Sequence, residues 1–107
     1  MIRWHERYRP EWDADPWRYL HAGVLPHGRS RRLGTLASGP STTKVHLGIQ
    51  HFDPELWGYR GEPYCRFFVS IRFGTGRRSA DLRTFSTMAE ALARVDALRA
   101  AMEQAGS

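Results

Sequence analysis

The stretch YCRFFVSIRFGTGRRSADLRTFSTMAEALARVDALRAAM, residues 64–102, decides the fold, because a strand period gives way in it to a helix period. From Tyr64 to Phe73 the side chains alternate with period two, the spacing of a strand buried on one face. Cys65, Phe67, Val69, Ile71 and Phe73 share one side; Tyr64, Arg66, Phe68, Ser70 and Arg72 share the other. Gly74, Thr75 and Gly76 supply the loop of a hairpin. A second strand is expected over 78–85, with Ala80 and Leu82 of one parity and Phe85 of the other, so that a bulge or an early strand end is needed.

Thr87 with Glu90 three residues later is a capping box and opens a helix. Met88, Leu92, Val95, Leu98 and Met102 then recur at helical spacing, with Ala91 beside them. Glu90 with Arg94, and Arg99 with Glu103, are expected to pair across one turn on the outer side. Such a helix covers the apolar side of the sheet and leaves the other side open.

Outward from this stretch, residues 44–52 form another alternating strand. Val45, Leu47 and Ile49 point one way; Lys44, His46, Gly48 and Gln50 point the other. Asp53 and Pro54 stop it, and residues 55–63 make an aromatic connection longer than a tight hairpin. Residues 26–43 are rich in Gly, Ser, Thr, Pro and Arg and read as a flexible basic loop, with Leu33 and Leu36 too sparse for a core element. Its run of Arg29, Arg31 and Arg32 suits an arm lying along phosphates. Residues 1–25 form an aromatic extension carrying Trp4, Tyr8, Trp12, Trp17 and Tyr19. Asp15 and Pro16 are expected to start a helix of about two turns that closes at Gly23. The expected whole is one α+β domain: a three-stranded antiparallel sheet on one C-terminal helix over residues 44–105, behind an irregular aromatic extension.

The 107 residues suffice for a single modest core, and 41% hydrophobic residues exclude a disordered chain. The apolar runs are too short for a membrane span, Met1 is not followed by a signal-peptide pattern, and the lone Cys65 cannot form an internal disulfide. A cytoplasmic setting is expected. Sixteen Lys and Arg against eleven Asp and Glu leave a net charge of +5, which favours an anionic partner.

Signatures of catalysis are missing. Gly74-Thr75-Gly76 lacks the remainder of a phosphate loop. His5, His21, His27, His46 and His51 do not pair at helical ligand spacing, so no metal or cofactor is expected. A nuclease centre of His51, Asp53 and Glu55 is conceivable, but such residues commonly end a strand without catalysis. The stronger constellation is the open sheet side, where Lys44, His46, Tyr64, Arg66, Phe68 and Arg72 interleave cations with aromatics. Arg83 is expected to join them from the third strand. The bland alternatives are an ordinary solvent face and a face covered by the N-terminal Trp side chains.

The junction Thr84-Phe85-Ser86-Thr87-Met88-Ala89-Glu90-Ala91-Leu92-Ala93-Arg94-Val95-Asp96 resembles the strand-to-helix junction of Apetala-type plant DNA-binding domains. It is also similar to the arm-site-binding domains of phage integrases, and Tyr59-Arg60-Gly61 echoes the opening of the plant family. The resemblance covers residues 59–102. It implies a three-stranded sheet laid in the major groove of double-stranded DNA. In the plant family Tyr-Arg-Gly opens the first of three strands, whereas here two strands follow it, so Arg66, Arg72 and Arg83 fit the sheet-face role better than Arg60. The leading expectation is a non-enzymatic nucleic-acid binder, of double-stranded DNA, that uses the sheet face and the basic run at Arg29, Arg31 and Arg32. The second is a small phage- or plasmid-encoded protein that inhibits a nucleic-acid-handling enzyme, for example a CRISPR effector. A homodimer could form through a strand edge or the Trp-rich extension.

Overall fold

The computed structural model describes residues 1–37, 43–74 and 80–105. Among them the strands are β1 (Arg3–Trp4), β2 (Ser30–Ala37), β3 (Lys44–Phe52), β4 (Tyr64–Arg72) and β5 (Asp81–Phe85). The helices are α1 (Trp17–His21), α2 (Pro54–Trp57) and α3 (Met88–Ala105). The sheet is antiparallel throughout and runs in chain order, β1-β2-β3-β4-β5. The α+β class with one C-terminal helix agrees with the sequence; the sheet has five strands where three were expected.

The additional strands come from segments read as loop and extension. The β2 pairing with β3 shifts register between Arg32 and Gly34, so Leu33 is an inserted residue. Arg31 pairs with Ile49, Gly34 with Leu47 and Leu36 with Val45, which puts Leu33, Gly34 and Leu36 all on the core side. Leu33 is fully buried and Leu36 nearly so. A β bulge thus breaks the period that would have announced a strand. Residues 38–42, the rest of the expected loop, and 75–79, most of the expected hairpin turn, lie outside the described residues.

One core fills the side formed by Leu36, Val45, Leu47, Ile49, Phe67 and Val69. Met88, Ala91 and Val95 of α3 bury against it, with Leu92, Leu98 and Met102 at its margin, as the helical stripe requires. Thr87 caps the helix by accepting from the Glu90 amide at 3.2 Å, and its hydroxyl donates to the Glu90 carboxylate at 3.0 Å. The expected turn-to-turn pairs give way to others: Arg94 reaches Asp81 at 3.1 Å and Arg99 reaches Asp96 at 3.3 Å.

The aromatic extension completes this same core. Tyr19 is fully buried, and Tyr8 and Trp12 pack against the cluster. Asp13 ties the segment together, its two carboxylate oxygens accepting from the Tyr8 and Tyr19 hydroxyls at 2.7 Å each. Burial and these bonds to Asp13 push both phenols well above their ordinary range. The α1 helix is shorter than expected and has no side-chain cap; Asp15 instead lies 4.0 Å from Arg18. Because Tyr8, Trp12 and Tyr19 pack on the core side, they leave the other side of β3 and β4 uncovered.

Leu33→Ala tests β2 directly. Removing a fully buried side chain should cost about 2–5 kcal/mol of unfolding free energy, whereas the same change in a solvated loop stays within about 0.5 kcal/mol. Urea unfolding separates the two; an unmoved midpoint would remove Leu33 from the core.

Candidate nucleic-acid interface

Strand register assigns the open side residue by residue. Lys44 lies opposite Arg72, His46 opposite Ser70, Gly48 opposite Phe68, Gln50 opposite Arg66 and Phe52 opposite Tyr64. From β2, Arg32 aligns with Gly48 and Thr35 with His46; from β1, Arg3 aligns with Thr35. Leu82 and Thr84 complete the rows on β5. The expected residues Lys44, His46, Tyr64, Arg66, Phe68 and Arg72 therefore share one face, over about 27 Å of strand.

Three expected residues stand elsewhere. Arg83 pairs with Val69 and so has the parity of the core side, where it lies 3.4 Å from Asp81. The core parity of β5 is set by Phe85, opposite Phe67, and Leu82 is turned outward and half exposed. Arg31 has core-side parity and spends its Nε on the Val24 carbonyl at 3.0 Å. Arg29 precedes β2, is exposed, and lines a depression at the far end of the face. Arg32, read as part of a mobile arm, is held in a strand and joins the face.

The centre of the face is recessed. Phe68 is 8% exposed, although it has open-side parity and α3 lies on the opposite side. Its ring lies against Gly48: a Cβ there would overlap the ring and would also come within 2.6 Å of the Arg31 carbonyl oxygen. A glycine at 48 is what lets the ring lie down on the sheet. His46 and Ser70 are buried beside it. Together with Arg32, Gln50, Arg72 and Leu82 they line a depression of about 430 Å3.

Electrostatics there are one-sided. The ion pairs among the described residues join Arg18, Arg83, Arg94 and Arg99 to Asp15, Asp81 and Asp96. Among the described residues Arg32, Lys44, Arg66 and Arg72 have no such carboxylate. The buried Nε of Arg72 has no hydrogen-bond partner among the described residues. Glu6 is the one carboxylate lining the adjoining hollow with Arg3, Arg32 and Lys44, among the described residues. Partial burial, then the charge of Arg72, lowers the Arg32 guanidinium below its ordinary value. Burial, reinforced by Arg32, Arg72 and Lys44, pulls His46 down to about 4, so it is neutral at pH 7, with Nδ1 3.1 Å from the Thr35 hydroxyl.

The other end of the face is aromatic. The Phe52 ring lies 5.4 Å from Tyr64 and 6.1 Å from Tyr59, and the Arg66 guanidinium sits 4.3 Å over Tyr64. Sequence reasoning missed Phe52 and Tyr59 as members of the face, because the α2 turn that brings Tyr59 back was read as irregular chain. Its signal was present in Asp53-Pro54: the Asp53 carboxylate accepts from the Glu55 amide at 3.1 Å and Pro54 occupies the first turn. Asp53 is thereby engaged as a cap. His46 and His51 fall on opposite sides of β3, and His51 instead meets His27, Nδ1 to Nδ1 at 3.4 Å. Among the described residues no three or more His, Cys, Asp or Glu gather as a metal site. No described helix is long and apolar enough to cross a membrane. Burial raises the Cys65 thiol to about 11, an unreactive state.

Comparison with family models, curated proteins and solved structures finds no match. What this face does therefore rests on its own chemistry.

His46 makes the fold acid-sensitive. Between its ordinary value near 6.5 and its folded value of about 4, the unfolded chain takes a proton that the folded chain refuses. The stability it confers is complete above pH 6.5 and is lost as pH falls towards 4, by up to about 3 kcal/mol. His46→Gln should lose less stability than the parent between pH 7.5 and 4.5 in urea titrations. Parallel losses would show that His46 is not held neutral.

Proposed function

We propose that this chain is a non-enzymatic nucleic-acid-binding protein that holds the sugar–phosphate backbone, of DNA in the first instance, on its open sheet face. The observation that carries this reading is the pairing of Lys44 with Arg72, like charges directly opposite across two strands, with Arg32 and Arg66 on the same face. Directly opposed like charges destabilise a sheet. A row of phosphates turns that cost into binding energy, and arginine's planar fork suits phosphate oxygens. Such contacts position a nucleic acid without selecting its sequence.

A second reading, docking of a nucleic-acid-handling protein, draws on Leu56, Trp57 and Tyr59, all more than half exposed on one connection. Anisotropy of labelled DNA, duplex and single-stranded, at rising salt decides between them. The expected result is saturable binding whose log Kd rises linearly with log salt. Arg66→Ala with Arg72→Ala should weaken binding and flatten the slope by roughly 1.4–1.8, two phosphate contacts' worth. Absence of binding to either DNA at low salt would overturn the reading and leave the face as a protein-docking surface.

A further inference from the structure

Lys44 and Arg72 occupy one end of the open face and an aromatic array beside Arg66 occupies the other, and that division carries information about the form of the nucleic acid. Arg66, Tyr64, Phe52 and Tyr59 follow one another as a run of planar groups, guanidinium over ring and ring beside ring. The last of them, Tyr59, is 67% exposed and Trp57 is 53% exposed. These two surround, with Phe52, Tyr64, Gln50 and Arg29, an open depression of about 440 Å3.

The array is built rather than left over from folding. Gly58 at φ 73° ends α2 and Tyr59 donates its amide to the Pro54 carbonyl at 2.8 Å, which fixes where the Tyr59 ring starts. Trp57 leans on Gly28, where a Cβ would stand 2.7 Å from the indole Nε1, so only glycine admits the ring at that position. The opening therefore has large aromatic surfaces, polar groups on Gln50 and Arg29, and an adjacent cation in Arg66.

The geometry points to a stacking site for an unpaired nucleobase, so that the occupant of the whole face is a single strand rather than a duplex. This inference rests on the phosphate-binding reading of the same face. Within a duplex each base has its π-face covered by its neighbours, and unstacking one costs a few kcal/mol. A single strand offers that face freely, and aromatic platforms beside a cationic groove are how single strands are held. The recessed centre agrees. Phe68, His46 and Ser70 lie buried at the floor, whereas reading a duplex groove requires side chains that stand up from the sheet. The charge favours a polyanion over an apolar protein segment: Arg29 and Arg66 at the rim have no ion-pair partner among the described residues.

The test compares a labelled 12-nucleotide DNA strand, an RNA strand of the same sequence and the blunt DNA duplex at one salt concentration. Either single strand is expected to bind at least about tenfold tighter than the duplex. Tyr59→Ala and Trp57→Ala, at exposed positions that the core does not need, should each weaken single-strand binding by roughly 5- to 150-fold and leave the salt slope unchanged. Quenching of tryptophan fluorescence on strand binding, lost in Trp57→Ala, reports contact at the array itself. Duplex binding as tight as single-strand binding, or unchanged single-strand affinity in both variants, would overturn the stacking site while leaving the phosphate-binding face standing. If no nucleic acid binds, both fall together.

Discussion

The inserted residue in β2 is the constraint on which both sides of the sheet depend. Because Leu33 is extra, Arg32 before it faces outward while Leu33 and Gly34 both turn inward. A regular strand through the same residues would place Arg32 and Gly34 on one side and Leu33 with Thr35 on the other. The bulge thus supplies the core with Leu33 and Leu36 and the open face with Arg32 and Thr35. It also leaves Gly34 bare on the core side, where Ile2 and Trp4 approach closely enough that a Cβ would crowd them. The N-terminal segment is thereby drawn to the β2 edge, with Ile2 and Trp4 on the core side and His5 lining the hollows of the open side.

A second consequence follows across the sheet. Arg32 sits in the same row as Gly48, and Gly48 receives the Phe68 ring. With the ring laid against Gly48, Phe68 forms the floor of the row, and Arg32, Gln50 and Arg72 line the same depression. The close approach to Gly48 accounts for the burial of Phe68 on the side opposite α3. The face is a shallow channel, cationic at the Lys44 and Arg72 end and aromatic at the Phe52 and Tyr64 end. That polarity is a product of register alone.

Much of this was legible in the chain. The alternation in β3 and β4 places Lys44, His46, Tyr64, Arg66, Phe68 and Arg72 together before any coordinates are seen, and the capped stripe of α3 says which side it covers. What stayed hidden has physical causes. A bulge erases period two, so β2 looked like loop. The edge strand β5 is short, and one terminal Phe85 outweighs Leu82 in setting which side is buried, so Arg83 has core-side parity. The recess needed the cross-strand partner of Phe68, which no single-strand pattern reveals. The tie of Asp13 to two tyrosines is a contact between turns of irregular chain, where no period exists to be read.

On the helix side, cations are matched: Arg83 and Arg94 converge on Asp81, and Arg99 meets Asp96. On the open side Lys44 and Arg72 are set opposite each other, Arg32 is lowered by partial burial and then by Arg72, and His46 is pushed to its neutral form by burial and by all three. Lys44 and Arg72 thus carry charge that no carboxylate meets among the described residues, and the proposed phosphate contacts rest on that charge.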